Sequence, residues 1–189
     1  MARLRIVLSV VAIVACLAST ARAQSRHRHD GFWIGFGFGG GVNTAANVDT
    51  GERGGAAAFV RLGGTLSQKW LLGGELSIWG RQEDTVLGDN SVSLTRSNAT
   101  LTVLFFPNEN GGLFLKGGLG GANVELQAGG LKVSEQGVGT TLGIGRDVKL
   151  GRNIYLVPNF DVLIQTFETG GDGTTTNTLL LLTVGVMWH

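Results

Sequence analysis

Few residues of this chain have the type and spacing that chemistry needs. His27 and His29, followed by Asp30, could ligate a metal ion. Two histidines two positions apart in a polar tail are weak ligands without a third partner. His189 would approach this tail if the chain ends pair, and nothing else in the sequence completes a site. The glycine runs at 35–41 (GFGFGGG) and 117–123 (GGLGGAN) superficially suggest phosphate-binding loops. That chemistry needs a helix N-terminus after the glycines, often with a Lys-Ser/Thr pair, and the sequence provides neither. Asp84, Asp89 and Asp172 lack the dense spacing of a calcium loop. The only cysteine, Cys16, lies in an apolar leader, so neither a disulfide nor thiol chemistry is expected downstream. No catalytic, cofactor-binding or metal residue is therefore assigned, and no cofactor is expected. What remains is a set of five charges inside otherwise apolar runs: Arg61, Glu75, Arg96, Lys116 and Asp161.

The elements that must hold those charges are strands. In Gly31–Val42 the residues Phe32, Ile34, Phe36 and Phe38 alternate with Trp33, Gly35, Gly37 and Gly39. A strand has a side-chain period of two, so one face is bulky and apolar and the other nearly bare. The pattern recurs at about 55–66, 70–80, 93–106, 113–123, 137–147, 154–167 and 177–188. Short turns are expected at 67–69, 107–112 and 148–153, and longer polar loops at 43–54, 81–90, 124–136 and 168–176. Pro158 falls inside the seventh strand, where it removes a ladder hydrogen bond; a local bulge is expected there.

Export precedes folding in this reading. Arg3 and Arg5, the apolar run Ile6–Ala18 and Ala21-Arg22-Ala23 form a secretory signal over residues 1–23. Ile13-Val14-Ala15-Cys16 loosely resembles a lipoprotein signal, and the A-x-A site is the better formed of the two. Residues 24–30 are a polar lead-in, expected to be mobile, and 31–189 form one barrel domain. Of the 15 basic side chains three belong to the signal, leaving 12 against 14 acidic ones. That balance gives no basic patch for nucleic acid.

Eight strands with alternating long and short connections put both termini and the short turns at one end. The outward set carries no charge, while the inward set holds Arg61, Glu75, Arg96, Lys116 and Asp161. A soluble barrel would invert this. The fold class is all-β, an eight-stranded antiparallel up-and-down transmembrane barrel. Aromatic residues gather at the end of the termini, where Trp70, Phe105, Phe106, Tyr155 and Trp188 are expected to form a girdle. Eight strands leave room for side chains and none for a channel, so the five charges are expected to pair across a plugged lumen.

The glycine-aromatic first strand, LFLKGGLGG at 113–121, TTLGIGRDVKL at 140–150 and LLTVGVMW at 181–188 appear in that order. In this the chain resembles the small outer-membrane β-barrel domain proteins of Gram-negative bacteria, the OmpA/OmpX-like type. The resemblance implies a place in the outer membrane and contact with its lipid and lipopolysaccharide. It further implies a monomer inserted by the barrel-assembly machinery with periplasmic chaperones. It implies a non-enzymatic structural or adhesion-like role through extracellular loops, with a narrow gated pore or a soluble periplasmic binding barrel as alternatives. Some barrels of this size act on lipopolysaccharide with a histidine base, but all three histidines here lie at the chain ends. The family usually ends on an aromatic residue; here Trp188 is penultimate and His189 is last.

Overall fold

The computed structural model describes residues 29–45, 53–84, 91–109, 111–169 and 173–189. The signal region, His27, Asp89 and Asp172 lie outside them. The strands are β1 (Phe32–Ala45), β2 (Arg53–Thr65), β3 (Trp70–Asp84), β4 (Ser91–Phe105) and β5 (Leu113–Ala128). They continue with β6 (Leu131–Arg146), the short β7 (Val148–Lys149), β8 (Ile154–Thr169) and β9 (Gly173–Trp188). Each pairs antiparallel with its neighbour, β9 pairs with β1, and β6 and β7 both pair with β8. The sheet closes on itself, with β6 and β7 forming one wall strand, so the barrel has eight. Closure leaves no free edge, which a lipid surrounding requires.

Parity follows the sequence. Phe36, Phe38, Leu62, Leu101, Leu119 and Leu142 point outward and are exposed, whereas Trp33, Phe59, Trp79, Phe114 and Phe167 are buried in the lumen. The bare glycine face is what admits these rings. A Cβ on Gly63 or Gly73 would fall 2.7 Å from the Trp33 ring, and one on Gly37 would fall 2.6 Å from Phe59. Trp33 and Phe59 thus lie over bare positions on the neighbouring strands, where a larger residue would exclude them.

Two apolar layers result. Near the termini, Trp33, Leu71, Leu104, Phe106, Phe114, Tyr155, Val157 and Met187 form one buried cluster. Toward the far end, Ala57, Trp79, Leu163, Leu179 and Leu181 form another, with Leu94 against it. Arg61, Glu75, Lys116 and Asp161 lie between them, whereas Arg96 stands opposite Trp79 at the level of the far cluster.

The strands run further into the expected loops, β3 to Asp84 and β9 from Gly173, and three further expectations are corrected. Residues 124–136, expected as a loop, are strand: β5 runs to Ala128 and β6 starts at Leu131. Gly129 and Gly130 make the turn with φ of 55° and 84°. Positive φ at both central residues is the tight hairpin turn whose twist matches its strands. The residues on either side do alternate, Val124, Leu126, Leu131 and Val133 against Glu125, Gln127, Lys132 and Ser134, but here the apolar set falls on the inner parity, so it does not continue the outward apolar pattern of the other strands. Next, the expected turn 148–153 begins with β7, whose Val148 and Lys149 still pair with Leu156 and Tyr155. Last, Pro158 makes no bulge. Gly145 pairs with Asn159 and Val148 with Leu156, one unbroken register interrupted only at Arg146 and Asp147. Pro158 sits opposite Arg146 in that gap, and the Asp147 amide donates instead to the Gly112 carbonyl at 2.8 Å. Breaking the ladder for two residues accommodates the missing donor without moving any side chain to the other face.

Candidate functional site

The middle of the lumen is built by register. Arg61 on β2 stands directly opposite Glu75 on β3, and the guanidinium lies 3.7 Å from the carboxylate. Lys116 on β5 and Asp161 on β8 flank Gly143 on β6 in one row. Because Gly143 has no side chain, the Lys116 ammonium reaches across it to Asp161 at 2.8 Å. The same ammonium donates to both oxygens of Glu75, at 2.7 and 2.9 Å. Ser77 donates to Glu75 at 2.9 Å, and Asn159 donates to Asp161. The Arg61 guanidinium also stacks 4.7 Å from the Phe59 ring centroid and 5.3 Å from that of Phe114. Arg61, Glu75, Lys116 and Asp161 are all buried. Two cations and two carboxylates therefore neutralise one another where water is scarce, the arrangement that makes burial tolerable.

Arg96, expected in this network, is not in it. Thr100, not Arg96, is opposite Glu75 on β4. Arg96 stands four residues further along, about 13 Å at the usual rise per residue. There it donates to Gln165 at 3.3 Å. Gln165 in turn donates to Asn98 Oδ1 at 2.7 Å and to the Ser97 carbonyl at 3.1 Å. This is a second polar layer nearer the far end, with Arg96 as its charge and Gln165, Asn98 and Ser97 as its neutral members. A linear sequence does not give the height of a residue in the barrel; strand stagger does.

The aromatic girdle is also divided. Trp70 and Trp188 face outward, 45% and 57% exposed, and Trp70 stacks on Phe105 with centroids 4.4 Å apart. Phe106 and Tyr155 turn inward and are buried in the apolar layer beside the termini. The two-residue period decides this: Phe105 and Phe106 are adjacent and cannot share a face. Of the five, Trp70, Phe105 and Trp188 are the ones on the outward face.

The lead-in does not hang free at its end. His29 is fully buried, its amide donates to Gln68 Oε1 at 3.1 Å, and Gln68 Nε2 donates to its carbonyl at 2.8 Å. Its ring packs 4.2 Å from Phe106 and 4.6 Å from His189. Beyond Trp188 the alternation turns His189 inward, where its Nε2 lies 3.3 Å from Asp147. Sequence reasoning missed Asp147, which lies between two strand segments and meets the chain ends only once the ring has closed.

The outer surface completes the picture. Sixteen-residue strands such as β5, β6 and β9 rise about 40 Å at a tilt of about 40°, beyond the apolar band of about 25 Å. The excess is at the far end, where residues 131–136 of β6 are all exposed.

This architecture is similar to that of neisserial surface protein A, with a TM-score of 0.61 and 10% sequence identity, covering 86% of this chain and 99% of that one. It is similar also to Ail, the attachment invasion locus protein of Yersinia pestis, in complex with the heparin analogue sucrose octasulfate. For that pair the TM-score is 0.59 at 12% identity, covering 84% of this chain and 99% of Ail. At these identities the likeness concerns the fold. No curated protein sequence matches the chain. Over residues 9–189 it matches the outer membrane protein beta-barrel domain, and the chain belongs to that family of the outer membrane.

Proposed function

We infer that the protein is a non-enzymatic, monomeric barrel with a shut lumen, whose working surface is the set of hairpins standing above the membrane. The plugged lumen carries this reading. Two packed apolar layers with a neutral ion network between them leave no continuous aqueous path. Transport is then not its business, and surface contact is. The β5–β6 hairpin has the composition for it: Leu131 and Val133 are exposed at 76% and 66% among Glu125, Gln127, Lys132 and Glu135. Exposed apolar side chains rimmed by charge are the usual make-up of a contact surface. Ail carries attachment in its name; for the present chain an adhesion-like role is part of this proposal.

On this reading the exported chain loses its signal near Ala23, passes through periplasmic chaperones and the barrel-assembly machinery, and then contacts outer-membrane lipid and lipopolysaccharide. Nucleic acid is not among its partners. The soluble periplasmic alternative is disfavoured by the wall itself, where Phe38, Leu101 and Leu119 are exposed at 77%, 67% and 63%. Planar-bilayer recording of the refolded protein tests the proposal. Its prediction is a flat baseline at all voltages. Reproducible unitary steps would overturn the plug and put a gated pore in its place.

A further inference from the structure

Three elements that are far apart in sequence meet at the mouth of the barrel beside the termini. His29 precedes β1, Asp147 lies in the gap between β6 and β7, and His189 follows β9. One ligand atom from each lies within 4.8 Å of the others. We propose that this cluster is a binding site for a divalent transition-metal ion of the zinc class, joining the lead-in to the C-terminus across the β1–β9 seam.

The geometry has the right scale. Two zinc–nitrogen bonds of about 2.0–2.1 Å at a tetrahedral angle hold their nitrogens about 3.4 Å apart. The Nδ1 atoms of His29 and His189 are 3.4 Å apart. Without metal, that distance suits one imidazole donating a proton to the other. A metal ion takes the place of the shared proton.

Asp147 supplies the orientation. Its Oδ2 is 3.3 Å from Nε2 of His189, the ring nitrogen on the opposite side from His29. Accepting the Nε2 proton fixes the tautomer that leaves the Nδ1 lone pair aimed at His29. A carboxylate behind a ligating histidine also raises its basicity and is a recurrent feature of metal centres. Asp147 is thus a positioning residue, with the two imidazoles as the direct ligands and water completing the shell.

The cluster is held in place before any ion arrives. His29 and Asp147 are fully buried, and the His189 side chain is 2% exposed. Phe106 packs against His29, and Tyr155 meets His189 edge-on with centroids 5.0 Å apart. Gln68 holds the His29 backbone from both sides, and the His189 amide donates to the Asn153 carbonyl at 3.2 Å. Ordering costs that usually weaken two-histidine sites are therefore already met by the fold. Imidazole nitrogens with a carboxylate suit zinc, copper or nickel rather than calcium or magnesium.

The test uses tag-free protein refolded in detergent micelles, titrated with Zn²⁺ by calorimetry and with Co²⁺ by visible absorption. The wild type should show one saturable site per barrel, and Zn²⁺ should raise the temperature of the heat-induced gel-mobility shift, reversed by EDTA. His29→Ala, placed before the first strand, and His189→Ala should each weaken binding at least tenfold. Asp147→Asn should weaken it by about 10–100-fold and change the cobalt spectrum. His27→Ala should leave binding unchanged. No saturable site in the wild type would overturn the proposal. So would binding that survives His29→Ala with His189→Ala, or that is lost in His27→Ala alone. Because His29→Ala leaves every strand intact, a folding defect in His189→Ala does not blunt the test.

Discussion

Glu75 answers two cations at once, Arg61 at 3.7 Å and Lys116 at 2.7 Å, and that unequal sharing decides what its removal does. In Glu75→Gln, Lys116 keeps Asp161, but Arg61 loses its carboxylate in a buried place. Removing one partner of a buried pair typically costs about 3–5 kcal/mol. The double change Glu75→Gln with Arg61→Met should recover much of the loss, because both charges leave together. Glu75→Gln with Arg96→Met should instead be additive, since Arg96 bonds to Gln165 in a separate layer. Urea unfolding in lipid vesicles of the wild type, the singles and both doubles measures these values. Additivity in the first double, or coupling in the second, would contradict the assignment of partners. The charges themselves were legible in the sequence because they break apolar runs on the inner parity. Their grouping was not. Arg61 meets Glu75 through direct register, yet Lys116 and Asp161 meet only because Gly143 lies between them. Gly143→Ala would place a methyl 3.0 Å from Lys116 Cε and against the Asp161 carboxylate. Overpacking of this kind costs about 1–3 kcal/mol. Gly117→Ala, on the outer face with nothing within 4 Å, is the matched control. Equal midpoints for Gly143→Ala and Gly117→Ala would show that Lys116 does not need the bare row.

The strands were readable where two solvents disagree. Lipid outside and a packed lumen inside impose strict alternation, so one misplaced residue would expose a whole face to the wrong medium. Leu101, 67% exposed on β4, sits on the lipid side. Leu101→Arg, in the row next to Glu75 in the middle of the wall, should destabilise the barrel by about 2–4 kcal/mol. Leu131→Arg, at the tip of the β5–β6 hairpin and 76% exposed, should change stability by less than about 0.5 kcal/mol. Vesicle unfolding of the two variants separates them; similar losses would remove the distinction between membrane wall and projecting hairpin. The same physics explains what could not be read. Val124–Gln136 keeps the alternation but carries its apolar residues on the inner parity and its polar ones on the outer, so the outward apolar pattern that marks the other strands stops there. At the other end, Phe106 and Tyr155 carry the composition of a girdle while their parity takes them inside. There the two-residue period is the better guide, and aromatic clustering alone misleads.

At the scale of the molecule, closure brings together what the sequence keeps apart. β1 meets β9, His29 meets His189, and the gap opposite Pro158 delivers Asp147 to His189. None of these encounters is written locally; each depends on the strand count and stagger of the finished ring. The central claim is that this ring sits in the outer membrane with its termini inward and its long hairpins on the cell surface. Single cysteines test it directly, in a Cys16→Ser background that removes the only native thiol. Lys132→Cys lies on the β5–β6 hairpin, and Ser67→Cys lies in the short turn between β2 and β3. A membrane-impermeant maleimide applied to intact cells should label Lys132→Cys and spare Ser67→Cys until the outer membrane is opened. Labelling of Ser67→Cys on intact cells, or of Lys132→Cys only after opening, would contradict the orientation and with it the surface role.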